Sequence, residues 1–274
     1  MSDSTADPLI TIPAATVVVF RRDADGGPPQ ILMLERSGTM RFAGGAAVFP
    51  GGRVDEADRL LAARLLPDAH AENPADAAAR VAAVRETLEE AGLVIAVNEP
   101  VSAVAAVQAR AHLLESGELA PVLEQFGWTL DLGRLQAFAH WCPQMHRAFD
   151  TRFYLADLGT GAVEIAVDAT ENSHMFWASA AQVLAMADRG ELLVIFPTRR
   201  NLERLALFGS FAEAVEHCRV TPVLPISPSR ITRDGELYLT IPEGLGYPVT
   251  AEPLRTAKTA SFTATPAAPS DPAA

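Results

Sequence analysis

The stretch VRETLEEAGL, residues 84–93, decides the fold of this 274-residue chain. It ends a segment that opens at Asn73-Pro74, where asparagine is a favoured N-cap and proline a favoured first helical residue. Gly92 is a typical residue just past a helix C-terminus. These signals predict a helix that begins at Pro74 and ends near Ala91.

The acids of this helix follow the spacing i, i+3, i+4, which gathers Glu86, Glu89 and Glu90 on one face. A solvated acidic stripe is the ordinary interpretation of such a pattern. However, these acids lie in the last two turns, where the helix dipole disfavours carboxylates, and the only base beside them is Arg85. The crowding therefore favours a divalent cation, and all-oxygen ligands suit Mg²⁺ or Mn²⁺ better than Zn²⁺.

A glycine-rich segment precedes the helix at residues 49–52, FPGG. Gly51 and Gly52 would let the backbone approach closely and offer a carbonyl oxygen as a further ligand.

With Gly52, Asp58 and residues 85–93 in view, the sequence resembles the Nudix box, GX5EX7REUXEEXGU. The second half of the box matches at nearly every fixed position. Asp58 stands where the family has glutamate, Thr87 occupies a bulky aliphatic position, and 26 residues instead of seven separate Asp58 from Arg85. The role of the first acid is therefore open.

The resemblance implies a Nudix-type α/β/α sandwich with a mixed sheet, in the α/β (α+β) class, that hydrolyses a nucleoside diphosphate derivative. It implies one to three Mg²⁺ or Mn²⁺ ions, with Gly52 or Gly51 contributing a carbonyl and Arg85 holding the acids in place. By position in the box, the ligands and catalytic acids would be Glu86, Glu89 and Glu90. The general base stays open between a box glutamate and the later acids Glu164 and Glu171.

A second pattern lies before the box: residues 32–37, then Arg41, Gly45 and residues 49–52, resemble the LLTXRSX3RX3GX3FPGG signature of coenzyme A diphosphatases. Arg36 and Arg41 would then grip the 3′-phosphate of coenzyme A, with Gly51 also at the substrate. The alternatives are that both arginines flank a surface loop, or that they bind the diphosphate of any dinucleotide.

Residues 140–154 extend the likeness to the branch of coenzyme A diphosphatases that includes the animal peroxisomal enzyme. That branch has Trp-x-Thr-Pro-Glu where this chain has WCPQ at residues 141–144. His140 and His146 are six residues apart and match no ligand pair, so zinc is not expected there. Because no pattern supports Cys142 as a nucleophile, we expect ordinary packing at all three, with a buried thiol at Cys142.

Composition excludes several classes of function. The net charge is −12, which argues against nucleic-acid and anionic-membrane partners. The only lysine, Lys258, rules out a P-loop and a Schiff-base lysine in the body of the chain. Two cysteines give no disulfide framework, and no apolar run reaches the length of a membrane span, so a cytoplasmic setting is expected.

We predict a flexible N-terminus at residues 1–8, one domain over 9–255 with insertions near 53–73 and 99–137, and a disordered tail over 256–274. Homodimers are common in the family, but no interface is evident in the sequence. The predicted strands are 14–20, 31–34, 93–97, 140–155, 162–167 and 174–177, and the further helices fall within 53–73, 101–137, 180–189 and 199–218.

Three functions compete. The first is cleavage of coenzyme A or acyl-coenzyme A into 3′,5′-ADP and a 4′-phosphopantetheine. The second is hydrolysis of ADP-ribose, NADH or a nucleotide sugar by the same box. The third is a Nudix-fold sensor that binds a nucleotide without cleaving it, against which the complete set of three box glutamates argues.

Overall fold

The computed structural model describes residues 10–37, 44–65, 72–145, 148–158 and 172–258, except for the side chains of residues 172 and 173. Two predictions fall outside these ranges, the N-terminal segment 1–8 and the strand over 162–167.

The fold is built on an eight-stranded mixed sheet in the order β3-β2-β1-β6-β5-β8, with β4 paired to β1 and β7 paired to β2. The β1–β6 and β5–β8 pairs are parallel and the others antiparallel. The strands are β1 Ile12–Arg21, β2 Gln30–Arg36, β3 Ala47–Val48, β4 Gly51–Arg53, β5 Gln136–Trp141, β6 Phe149–Asp157, β7 Asn172–Ala178 and β8 Pro225–Ile226.

Seven α-helices lie in the described ranges: α1 Glu56–Leu65, α2 Pro74–Ala91, α3 Ala103–Ser116, α4 Leu119–Phe126, α5 Ala180–Asp188, α6 Phe196–Leu205 and α7 Phe211–Val220. A three-stranded antiparallel sheet follows, in the order β11-β10-β9, formed by β9 Ser229–Arg233, β10 Glu236–Thr240 and β11 Ala251–Pro253. This small sheet was not anticipated from the sequence.

The large sheet has a hydrophobic core on each face, which confirms the predicted α/β/α sandwich. Strand β1 supplies both faces because alternate side chains point to opposite sides. Val17 and Val19 pack with α1–α4 on one face, whereas Val18 and Phe20 pack with α5–α7 on the other. This central strand is buried on both sides, and therefore reads as a continuous apolar run.

Helix α2 begins and ends at the predicted residues. The Asn73 side chain accepts a hydrogen bond from the Asp76 backbone N–H at 3.1 Å, and Pro74 occupies the first helical position. At the other end Gly92 has φ 68° and its N–H donates to the Leu88 carbonyl. Because both signals are local, the sequence was sufficient to set the boundaries of this helix.

Helix α1, in the described part of the insertion, contributes to the core. Leu61 and Ala62 of α1 are buried in the cluster beneath α2. In the second insertion α3 and α4 are separated at Gly117 and α4 ends at Gly127, and both glycines have positive φ.

Four predictions need correction. Residues 93–97 are mostly buried but form no strand apart from an isolated bridge from Val97 to Leu130, because their apolar side chains pack in the core cluster that includes α2 and α3. The strand predicted over 140–155 is two strands, β5 and β6, and the helical pattern predicted to 137 stops before β5. The helix predicted over 199–218 is two helices, because residues 206–210 leave the helix before the N-cap Ser210.

Of the predicted tail, residues 256–258 are described and lie against the body of the protein. The Lys258 backbone carbonyl accepts a hydrogen bond from the Phe196 N–H at 2.7 Å. The remaining tail residues are outside the described ranges. No helix in the described part of the chain is long and apolar enough to cross a bilayer.

The N-cap of α2 gives a test of this local code. Asn73→Ala leaves the Asp76 N–H without its side-chain acceptor, so we expect the free energy of unfolding to fall by about 1 kcal/mol in urea titrations. Asn73→Asp restores an acceptor and should stay near the wild type. Equal losses in both variants would contradict the capping role.

Candidate active site

Arg85 organises the acids at the end of α2. It is buried and pairs in a bidentate fashion with the buried Asp58, with Nε–Oδ1 and Nη2–Oδ2 distances of 3.0 Å. Its Nη2 also donates to the Arg53 carbonyl at 2.9 Å. Its Nη1 lies 3.0 Å from Glu86 Oε1 and 3.3 Å from Glu89 Oε2. The guanidinium therefore joins α1, α2 and β4.

The three glutamates differ in exposure. Glu90 is buried, and its Oε2 accepts a hydrogen bond from the Gly51 backbone N–H at 2.8 Å. The Glu86 side chain is 13% exposed and that of Glu89 37% exposed. The acids are therefore not a solvated stripe: they face β4, and Glu89 is the most accessible of the three.

The two glycines of β4 are required by close approach. Gly51 has φ 154°, and a Cβ there would lie 2.3 Å from the Ala15 carbonyl oxygen. A Cβ at Gly52 would lie 2.4 Å from Glu86 Oε1. Only glycine lets the backbone of β4 lie this close to both β1 and the acids.

The electrostatics of the site are dominated by burial. Desolvation raises the pKa of Glu86 to about 8, with Glu90 and Glu89 adding to the rise and Arg85 opposing it. Burial lowers the pKa of Arg85, but its ion pairs with Asp58 and Glu86 outweigh that effect and raise the pKa above its ordinary value. Burial and neighbouring acids thus hold the pKa of this carboxyl near 8, and a bound cation would stabilise its charged form.

The donor set suits a hard divalent cation, because all three side chains offer oxygen. In the described ranges these carboxylates do not form a group whose ligand atoms all lie within 4.8 Å of one another. Ligation of one cation by all three would therefore need a side chain to rotate. Glu89 has the most room to do so, because it is the most exposed of the three.

The predicted substrate residues are only partly described. Arg36 ends β2, where its N–H donates to the Ala46 carbonyl and its carbonyl accepts from the Gly45 N–H, both at 3.0 Å. Its Nε is buried and has no hydrogen-bond partner among the described residues. Arg41 and the proposed bases Glu164 and Glu171 lie outside the described ranges.

Two contributors were not found from the sequence. Asp58 was recognised as the first acid of the box, but its pairing with Arg85 was not foreseen. Arg110 of α3 donates from Nε to the Glu89 carbonyl at 2.8 Å and so neutralises the C-terminal end of α2. The scarcity of bases near the acids, expected from the sequence, is therefore relieved by a base from the second insertion. Thr87, at the aliphatic position of the box, is buried and donates to the Ala83 carbonyl at 2.7 Å.

Comparisons with known proteins identify relatives of this chain. A crystal structure of a NUDIX hydrolase from Alicyclobacillus acidocaldarius is 30% identical in sequence, with a TM-score of 0.64 over 76% of this chain and 97% of that one. The acyl-coenzyme A diphosphatase NUDT19 of Gallus gallus is 26% identical over 238 residues, 66% of this chain. The chain spans 62% of the length of that curated relative. No family model matches. The resemblance inferred from the motifs is confirmed by these two relatives.

The buried ion pair gives the second prediction. Asp58→Asn leaves the Arg85 guanidinium buried without its charged partner, and we expect a loss of about 3–5 kcal/mol in the free energy of unfolding. The matched control is Asp55→Asn, since Asp55 lies 3.5 Å from the same guanidinium but is 58% exposed. That control should cost less than about 1 kcal/mol. Similar losses in both variants would show that burial of the pair is not what matters.

The pKa of Glu86 gives the third prediction. Since folding raises this pKa from 4.5 to about 8, the folded protein binds more protons than the unfolded chain between those values. This contribution to stability is complete below pH 4.5 and is lost as the pH rises towards 8, by up to about 1.4 kcal/mol per pH unit.

We therefore measure the free energy of unfolding in EDTA at several pH values in this range. It should fall more steeply with rising pH for the wild type than for Glu86→Gln. Comparing the two chains cancels the other titrating groups. Parallel curves would contradict the raised pKa.

Proposed function

This chain belongs to the Nudix hydrolase family, and on that premise we propose that it hydrolyses the diphosphate linkage of coenzyme A or acyl-coenzyme A. The products are 3′,5′-ADP and 4′-phosphopantetheine or its acyl form. The observation that carries the hydrolytic part is the cluster of box glutamates, held beside Gly51 and Gly52 by an arginine that is itself paired with buried Asp58.

The cofactor in this proposal is Mg²⁺ or Mn²⁺, held by Glu86, Glu89 and Glu90 with the Gly52 carbonyl as a further ligand. When bound, such a cation neutralises the diphosphate and lowers the pKa of a water molecule for attack on phosphorus. The protein keeps the ligands in position: Arg85 fixes Glu86 and Glu89, and the Gly51 N–H fixes Glu90.

The substrate part of the proposal rests on Arg36 and on the relative from Gallus gallus. The Arg36 backbone is hydrogen-bonded to Gly45 and Ala46, while its buried Nε has no partner among the described residues. Arginine binds phosphate through several N–H groups at once, so Arg36 and Arg41 suit the 3′-phosphate that distinguishes coenzyme A from other dinucleotides. A named acyl-coenzyme A diphosphatase among the relatives supports the same substrate class.

We also infer a cytoplasmic setting. Cys142 and Cys218 are both free thiols, as expected where thiols stay reduced. The net charge of −12 is consistent with a small-molecule substrate rather than a nucleic acid.

Product analysis tests the reaction. With Mg²⁺ or Mn²⁺ present, we expect chromatography to show 3′,5′-ADP released from coenzyme A and acetyl-coenzyme A, with little cleavage of ADP-ribose, NADH or a nucleotide sugar. Glu89→Gln and Glu90→Gln should lower kcat/KM at least ~100-fold, because each removes a charged ligand next to the reacting phosphate. The matched control, Glu115→Gln, changes an exposed acid on α3 and should leave the rate unchanged.

Three outcomes of that assay contradict the proposal. Cleavage of ADP-ribose or NADH alone would keep the chemistry but remove coenzyme A as substrate. Tight binding without any turnover would place the chain among nucleotide sensors. Full activity in the two glutamine variants would refute the site.

The 3′-phosphate is tested separately with dephospho-coenzyme A, which lacks it. Arg36→Ala should raise KM for coenzyme A about tenfold, equivalent to about 1.4 kcal/mol, and leave KM for dephospho-coenzyme A nearly unchanged. Arg22→Ala, on an exposed arginine at the end of the β1–β2 hairpin, is the control. Equal increases for both substrates would refute recognition of the 3′-phosphate.

A further inference from the structure

A second group of metal-ligating side chains lies across strands β5 and β6. His140 is near the end of β5, Cys142 follows that strand, and Asp150 is near the start of β6. The antiparallel register pairs His140 with Arg152 and Trp141 with Thr151, so Cys142 continues the ladder towards Asp150. One ligand atom from each of the three residues lies within 4.8 Å of the others.

The surroundings of this group are polar but half-buried. His140 Nε2 is hydrogen-bonded to Asp150 Oδ1, and their side chains are 14% and 21% exposed. Cys142 is partly exposed rather than fully buried, contrary to expectation. Among the described residues, Arg152 places a positive charge beside the group: its Nη1 lies 3.9 Å from Asp150 Oδ1 and its Nε lies 4.0 Å from Asp76 on α2.

We propose that His140, Cys142 and Asp150 form a binding site for a borderline-soft divalent cation, for which Zn²⁺ is the best match. Imidazole, thiolate and carboxylate are the three kinds of side chain that Zn²⁺ takes in proteins. Three protein ligands with a solvent-accessible fourth position give a tetrahedral centre without further residues. The set is poorly suited to Mg²⁺, which requires oxygen ligands and binds sulfur weakly.

The charges balance when such a cation binds. The Cys142 thiol gives its proton to solvent as the sulfur–metal bond forms. The proton of His140 Nε2 moves through solvent to Nδ1, so the neutral ring binds through Nε2, and the His140–Asp150 hydrogen bond is replaced by two metal–ligand bonds. One thiolate and one carboxylate then neutralise the two positive charges. Burial and the neighbouring Asp150 raise the pKa of the Cys142 thiol, so the cation competes with this proton and binds more tightly as the pH rises.

This site is distinct from the box glutamates. Strand β1 lies between β4, which carries Gly52, and β6, which carries Asp150. Since neighbouring strands are about 4.8 Å apart, the two strands are separated by roughly 10 Å, and β5 lies one strand further away. The donor sets differ as well, with oxygen alone in one and nitrogen, sulfur and oxygen in the other.

A cation at this position would fasten β5 to β6 at the end of their hairpin. Strand β6 pairs in parallel with β1 along nine residue pairs, from Ile12–Phe149 to Phe20–Asp157. Because the register of β5 against β6 brings the ligands together only in the folded chain, the free energy of cation binding adds to the stability of the fold. The inferred role is therefore stabilisation of the central sheet.

Cobalt provides a direct probe, because a thiolate bound to Co²⁺ gives a charge-transfer absorption in the near ultraviolet that oxygen ligands do not give. The full chain, freed of metal with EDTA, is titrated with Co²⁺ in excess Mg²⁺. We expect the band in the wild type and its loss on adding Zn²⁺. Cys142→Ser should abolish it and Cys218→Ser should keep it, which makes the other cysteine of the chain the matched control.

His140→Ala and Asp150→Asn should weaken Co²⁺ binding at least tenfold. Glu89→Gln should keep the band, so failure of the hydrolase proposal cannot be mistaken for failure of this one. Absence of the band in the wild type, or its persistence in Cys142→Ser, would overturn the proposal.

A second measurement on the wild type needs no variant to fold. Zn²⁺ should slow alkylation of Cys142 by iodoacetamide at least tenfold, without slowing that of Cys218 in the same molecule, as read by peptide mass spectrometry. Unchanged alkylation of Cys142 would overturn the proposal independently.

Discussion

The candidate active site depends on one buried ion pair, between Arg85 of α2 and Asp58 of α1. A guanidinium this deeply buried needs its donors satisfied, and Asp58 uses both carboxylate oxygens to satisfy two of them. The remaining donors reach the Arg53 carbonyl and the carboxylates of Glu86 and Glu89. Removing the pair would thus loosen three elements at once: α1 of the first insertion, helix α2 and strand β4.

The negative charges around this pair are only partly neutralised. Three acids lie at the negative end of a helix dipole. Burial raises the pKa of one of them, Glu86. Arg85 and Arg110 reduce the repulsion from two sides, through the side chains and through the Glu89 carbonyl. The neutralisation is incomplete, since Glu86 stays perturbed despite its contact with Arg85. Strongly perturbed pKa values of this kind cluster at functional sites.

How much the sequence could predict follows the range of each interaction. The ends of α2 were predicted to the residue, because Asn73, Pro74 and Gly92 act on atoms within one turn. The pairing of Asp58 with Arg85 was not, because 27 positions separate the two residues and their meeting depends on how α1 packs. For the same reason the sequence does not predict the contact between Arg110 and the end of α2. The strand prediction at 93–97 is wrong because nothing local distinguishes this apolar run from a strand.

The same limit explains why only one of the two proposed metal sites could be recognised from the sequence. Glu86, Glu89 and Glu90 belong to one helix, so their spacing alone shows that they share a face. His140 and Asp150 belong to different strands, and only the register of β5 against β6 brings them together. In sequence, His140 and Cys142 therefore had no partner and suggested ordinary packing. A strand register brings side chains together as specifically as a helical repeat does. However, it depends on how two segments pair, so neither segment reveals it alone.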